Sequence, residues 1–202
     1  MAKKVVIFGA NGFLGSEFAK AFIENGDSVT SVSRTGEPLG NDAWHKQVDW
    51  KIGNALSKGF WSENLKDADV VVDTIGEYKE QPNENLTFEK VNYQSALNIA
   101  DAAEENKVPV FVYISAEDIP NANKRYIQTK RDAEANLNKR NFRTVIIRPT
   151  TMVTSDDKVD TDEKYHSIGV DMVALVGIDA VENSKKNVTL GIEELDNDEV
   201  NE

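Results

Sequence analysis

The chain has no cysteine, which excludes disulfides, thiolate metal sites and cysteine nucleophiles and agrees with a reducing compartment. Histidine is scarce as well. His45 and His166 lie far apart and read as surface side chains among polar neighbours, so no metal centre is expected. No apolar stretch approaches the roughly 20 residues that cross a bilayer, and MAKK runs straight into a strand pattern without room for a signal peptide. A cytoplasmic protein with no membrane span is the expectation. Positive charge is short: 23 Lys and Arg against 35 Asp and Glu give a net charge of −12, which opposes nucleic acid or an anionic membrane as partner. A small anion in a local positive site remains compatible with that balance.

With 202 residues, 40% hydrophobic and 29% charged, the chain suits one globular α/β domain and is short for two. The acid-rich run DDKVDTDE (156–163) lacks the glycine and terminal glutamate of a calcium loop and reads as a solvated linker. Residues 193–202 are acidic and without aromatics, so they are expected to fray as a tail behind a domain spanning 1–192.

The most informative feature is GANGFLG, residues 9–15, directly after the apolar run VVIF and directly before a helical pattern. A strand that ends in a glycine-rich turn and opens a helix leaves the first helical N–H groups unpaired at the positive dipole end, which suits a pyrophosphate. Leu14, Phe18 and Phe22 repeat every four residues, and Asn25-Gly26 supplies a glycine at the helix stop. Strand patterns follow at 27–33, 50–53, 70–76, 108–115 and 144–148, with a short one at 188–192. Helical patterns occupy 88–105 and 126–140, and Asp171 reads as the N-cap of a last helix carrying Val173, Ala174, Gly177, Ile178 and Val181. Val- and Ile-rich runs alternating with helices predict a Rossmann-type, doubly wound parallel sheet.

Ligands of such sheets bind at the carboxyl ends of the strands, beside the point where strand order reverses. At the end of the second strand stand Ser33 and Arg34, where an NAD-preferring fold would present an acid to the ribose 2′-hydroxyl. A guanidinium there can grip a 2′-phosphate, so NADP is expected over NAD. Ser115 ends the fifth strand, and Tyr126 and Lys130 sit four apart on the next helix, sharing one face. A cation beside the phenol would lower its pKa and let it exchange a proton with a substrate hydroxyl or carbonyl, with Ser115 steadying the same oxygen. Glu117 and Asp118, close by in sequence, would work against that.

The segments VVIFGANGFLG, SVSRTG, VVVDTIG, VNYQSALNIADAA, VYISAED, YIQTK and VIIRPT resemble the short-chain dehydrogenase/reductase superfamily, in its extended and atypical branches. With NGFLG, SVSR, Trp44, Trp50 and YISA, the chain is similar to the atypical members associated with ubiquinone biosynthesis and complex I. The resemblance implies that Gly9, Asn11, Gly12, Phe13, Leu14 and Gly15 hold the pyrophosphate and Arg34 meets the adenosine ribose. Asn54 takes the place where family members put an aspartate against adenine. Thr74, Ile75 and Gly76 would line the cofactor, Lys130 would hold the nicotinamide ribose, and Pro149, Thr150 and Thr151 would flank the nicotinamide. Tyr126 would donate the proton, helped by Ser115. The family's substrate lobe is reduced here to a polar stretch at about 152–167, too little to enclose a large substrate. Two functions follow: an NAD(P)-dependent oxidoreductase or epimerase acting on a small carbonyl or alcohol, or a non-catalytic dinucleotide-binding sensor or assembly module. The same families imply a homodimer or a protein partner.

Overall fold

The computed structural model describes residues 2–154 and 165–196, so the solvated-linker expectation for 156–163 lies outside the described residues. Strand β1 (Lys4–Phe8) leads into helix α1 (Phe13–Glu24), then β2 (Ser28–Ser33), β3 (Val48–Ile52) and β4 (Val70–Asp73). A π-helical turn (Glu89–Gln94) opens α2 (Ser95–Glu105), followed by β5 (Val110–Ile114), α3 (Lys124–Leu137) and β6 (Arg143–Ile147). The chain continues through two short strands, β7 (Met152–Val153) and β8 (Ile168–Gly169), to α4 (Val170–Asn183), β9 (Val188–Leu190) and α5 (Ile192–Asp196). The main sheet is parallel with the order β3-β2-β1-β4-β5-β6-β9. Strand order reverses between β1 and β4.

Alternation along β1 divides the core into two layers, because successive side chains leave opposite faces of a strand. Val5 and Ile7 join the layer under α1 and α4, with Phe18, Phe22, Val173 and Val181. Val6 and Phe8 join the other layer, with Trp61, Leu65, Ala100 and Leu137 from α2, α3 and the turn Phe60–Leu65. Phe18 and Phe22 are fully buried, each contributing roughly 1.5–3 kcal/mol of hydrophobic stabilisation. Gly177 lets α4 approach: a Cβ there would meet Ile147 Cδ1 at 2.7 Å and Phe18 Cζ at 2.8 Å.

Several expectations need correction. Asp171 is not the cap of the last helix; it lies inside the first turn of α4, and Gly169 takes the cap position without a side-chain hydrogen bond. The tail boundary at 192 cuts through structure, because Leu195 on α5 is buried beside α4 and the described part of the tail is held. His45 is not a surface side chain. It is 4% exposed, wedged edge-on between Trp44 and Trp50 at 4.4 and 5.8 Å, its Nδ1 without a hydrogen bond. Trp50 reaches back to donate to the His45 carbonyl at 2.9 Å, closing the turn that precedes β3. Strand boundaries shift by a few residues, the fourth strand ending at Asp73 rather than residue 76.

Candidate functional site: a cleft across the carboxyl ends of the strands

Two adjoining cavities lie at the carboxyl ends of the strands, on either side of a shared rim formed by Gly12, Thr74, Ile75, Gly76 and Glu77. The first, about 290 Å³, is lined by Gly9, Asn11, Gly12, Ser33, Arg34 and Asn54, among others. The second, about 820 Å³, is lined by Phe13, Leu14, Ser115, Tyr126, Lys130, Pro149, Thr150 and Thr151, among others. The fold therefore gathers the sequence-predicted site residues into one continuous cleft, with the exception of Gly15, which stands behind it.

The turn after β1 is shaped by close backbone approach. Gly9 has φ +96°, a left-handed conformation, and a Cβ there would sit 2.8 Å from Thr74 Oγ1. Gly15 is the tighter case: its Cβ would lie 2.1 Å from the Gly9 carbonyl oxygen, so α1 can dock on the turn only without a side chain. The Gly9 carbonyl accepts the Gly12 N–H at 2.8 Å, and Gly12 caps α1 with no side-chain acceptor. The first-turn N–H groups are left aimed at the cleft, a cradle for an anion. Asn11 Nδ2 donates to Thr35 Oγ1 at 2.8 Å, tying the cradle to the loop after β2. Arg34 is exposed on the first cavity, with no ion pair among the described residues. Asn54 is also exposed there, its Oδ1 accepting the Leu56 N–H at 3.1 Å.

The second cavity is built from α3 and the ends of β4 and β5. Asn123 caps α3, its Oδ1 accepting the Arg125 and Tyr126 N–H groups at 3.0 and 3.3 Å, which puts Tyr126 in the first turn. The Tyr126 ring packs against Phe88, centroids 5.6 Å apart. Burial pushes its phenol up to about 12, with Glu77 reinforcing the rise and Arg131 opposing it. The lowered phenol expected from Lys130 is thus reversed, because Lys130 is otherwise engaged. Its Nζ is buried, donates to the Ile114 carbonyl at 2.8 Å and lies 4.9 Å over the Tyr113 ring. Burial pushes this lysine down to about 8, against the pull of Asp73 and Glu134.

Ser115 is also committed elsewhere. Its hydroxyl donates to Glu134 and accepts from Arg131 Nη1 at 3.1 Å. Glu134 in turn accepts from Arg131 at 2.8 Å and from Arg148 at 3.0 and 2.5 Å. Those guanidiniums and the Ser115 hydroxyl hold the carboxyl below its usual range, against the opposing effect of burial. The steadying role expected of Ser115 toward the Tyr126 oxygen is therefore not what this arrangement shows. Nor are Glu117 and Asp118 the acids that act on Tyr126; Glu77 is, from across the cleft.

Besides Glu134, sequence reasoning missed Asp73, Asn92 and Glu77. Asp73 is fully buried at the end of β4, one oxygen accepting the Ile75 N–H at 3.0 Å and the other without a partner. Its burial pushes the carboxyl up to about 7 despite the Ile75 N–H and Lys130. Asn92 holds the rim by a reciprocal pair with the Glu77 backbone, at 2.8 and 2.9 Å. The signals were an acid inside VVVDTIG and an amide on the apolar helix face of VNYQS; Glu77 carried none, being one polar residue in a polar loop.

Residues 9–184 match a family model described as NAD(P)H-binding. The chain belongs to this NAD(P)H-binding family. Its fold is the epimerase/dehydratase-like, extended short-chain dehydrogenase/reductase fold. An uncharacterised chloroplastic protein of Arabidopsis thaliana is 37% identical over 153 residues, which is 73% of this chain and 50% of that protein. The chain thus spans about half the length of this relative. MIOREX complex component 2 of Saccharomyces cerevisiae is 29% identical over 84% of this chain and 76% of its own length. Among solved structures, UDP-glucose 4-epimerase from Brucella ovis in complex with NAD superposes with a TM-score of 0.73 over 95% of this chain and 77% of that one. Its identity of 16% shows a shared fold alone. Among the described residues of this NAD(P)H-binding chain, no helix is long and apolar enough to cross a membrane.

Proposed function

We propose that the chain is an NADP(H)-dependent oxidoreductase acting on a small carbonyl or alcohol. The observation that carries the reading is the continuity of the cleft: the glycine cradle and Arg34 border one cavity, Tyr126 and Lys130 border the next, and the two share a rim. The cradle suits a pyrophosphate because Gly9 and Gly12 face the cavity without side chains and Gly12 caps α1 with no side-chain acceptor on the first-turn N–H groups. Arg34, exposed with no ion pair among the described residues, supports a 2′-phosphate and hence NADP. When bound, the dinucleotide supplies or takes the hydride. The chain's part is the proton: Tyr126 stays protonated at neutral pH, so it is set to donate to a carbonyl oxygen that gains charge. Thermal denaturation with each of the four nicotinamide dinucleotides tests the assignment. NADPH at a hundredfold excess over its dissociation constant should add roughly 2.7 kcal/mol of stability. No shift with any of them would remove the cofactor from the proposal.

One observation favours a second reading, a dinucleotide-binding assembly or sensing module without chemistry: Ser115 is spent on Glu134 and Arg131 rather than on Tyr126. The relative named as a MIOREX complex component supports a protein partner in that case. A carbonyl panel that shows no turnover with bound NADPH would select this reading.

A further inference from the structure

The second cavity shares Gly12 and Glu77 with the first and differs from it in what its other side chains offer. Among the described residues, its polar lining includes two carboxylates, Glu77 and Glu117, and one cationic residue, Lys130. That lysine is 2% exposed, donates to the Ile114 carbonyl and sits beside buried Asp73, so its ammonium is held away from an incoming anion. Among the described residues, the cations nearest in the fold are engaged with acids of their own. Arg125 pairs with Glu80 and Glu89, Arg131 and Arg148 converge on Glu134, and Lys124 pairs with Asp118. The rest of the wall is substantially apolar, with Ile75, Ile114, Ile119, Ala122, Ile127 and Met152. The cavity's volume of about 820 Å³ is within the usual range for a small-molecule site of roughly 300–1,000 Å³, and a substrate would share it with the dinucleotide end that residues 74–76 and 149–151 are expected to line.

We infer that this cavity takes an uncharged, largely apolar ketone, aldehyde or alcohol and excludes anionic substrates such as sugar nucleotides. The inference rests on the oxidoreductase reading and adds the substrate class to it. A ligand with one polar oxygen can place it at the Tyr126 hydroxyl and lay its carbon body on the isoleucines. An anion would instead meet two carboxylates on the wall, with the described cations behind it already held by acids, in a partly desolvated space where like charges repel more strongly than in water.

The test is calorimetric titration of three probes into the full chain, saturated with NADPH and separately without it: the bicyclic ketone 1-tetralone, its 6-carboxylate, and UDP-glucose. The expected result is that 1-tetralone binds at least tenfold more tightly than its carboxylate and that UDP-glucose does not bind beside the dinucleotide. The double variant Glu77→Gln/Glu117→Gln should bring the two tetralones to within about threefold of each other. Equal or tighter binding of either anion, no binding of 1-tetralone, or an unchanged gap in the double variant overturns the inference. Failure of the dinucleotide to bind is read separately in its own titration, and the probes added to the protein alone still report the cavity's preference.

Discussion

The two halves of the cleft are made differently, although they share five lining residues. The first is mostly backbone. Glycines bring α1 against the turn after β1, helical N–H groups face outward, and Arg34 stands without an ion pair among the described residues. The second is made of side chains that mostly answer one another. Ser115, Arg131 and Arg148 are bound to Glu134, and Lys130 to a carbonyl beside Asp73. A half whose donors are unspent is ready for an anion from outside. A half whose charges are mutually satisfied offers shape, apolar surface and one phenol.

The sharpest way to break this contrast is at Tyr126. If the second cavity is catalytic, Tyr126→Phe should keep NADPH affinity and lower carbonyl turnover by the 10²- to 10⁴-fold typical of losing a general acid. Lys130→Met should reduce both, because the lysine stands at the rim between the halves: a Cβ on Gly76 would lie 3.3 Å from its Nζ. Titration calorimetry and steady-state rates separate the two outcomes. If Tyr126→Phe changes neither, the second cavity does no proton chemistry.

Gly15 probes the first half by steric means. The cradle leaves no room for a methyl group against the Gly9 carbonyl, so Gly15→Ala forces α1 away from the turn. Overpacking of this kind destabilises by about 1–3 kcal/mol, and a contact with rigid backbone belongs at the upper end. Chemical denaturation should show that loss, and dinucleotide affinity should fall with it, since the displaced N–H groups are the anion site. A variant that folds and binds like the parent would mean that the turn is not the cradle.

Arg34 distinguishes the cofactors rather than the halves. Arg34→Ala should weaken NADPH by roughly 1.5–3 kcal/mol, the worth of a charge-assisted hydrogen bond, and leave NADH nearly unchanged. Equal losses, or none, would show that the guanidinium reaches something other than a 2′-phosphate.

The same contrast explains how much could be read from the sequence. The first half was legible because its requirements are local. A turn that needs close approach shows as glycines at fixed offsets, and the helix behind it shows as Leu14, Phe18 and Phe22 at a four-residue interval. The parallel sheet was legible for a similar reason, since strands buried on both faces read as continuous Val and Ile. The second half depends on pairings across the chain. Glu134 was invisible because its partners, Ser115 and Arg148, lie 19 and 14 residues away, each just past the end of a different strand. Nothing in YIQTK reveals that its lysine would turn to the Ile114 carbonyl instead of toward its tyrosine. His45 failed in the same way: its burial comes from the two tryptophans folding over it, not from its polar neighbours in sequence.

The last expected effect is read as a pH-dependent difference and concerns Asp73, the buried acid that gives Lys130 its negative neighbour. Its carboxyl is pushed up from 3.8 to about 7, so between those values the folded chain holds a proton that the unfolded chain has released. Such a group favours folding most fully below the lower value, and its contribution is lost as pH rises through the higher one. Asp73→Asn removes that titration while keeping the shape. The midpoint of the Asn variant relative to the parent should therefore rise from pH 4 to about pH 7.5 and then level off. Acid loss of the Glu134 cluster is common to both proteins and cancels in the difference. For a chain of this size each kcal/mol moves the midpoint by roughly 2–4 °C, within reach of scanning calorimetry. A difference flat across that window would mean that Asp73 stays ionised when folded, with the Lys130 ammonium as its partner. The second cavity would then carry a fixed ion pair at its rim, and the contrast between its halves would lie in geometry rather than in charge.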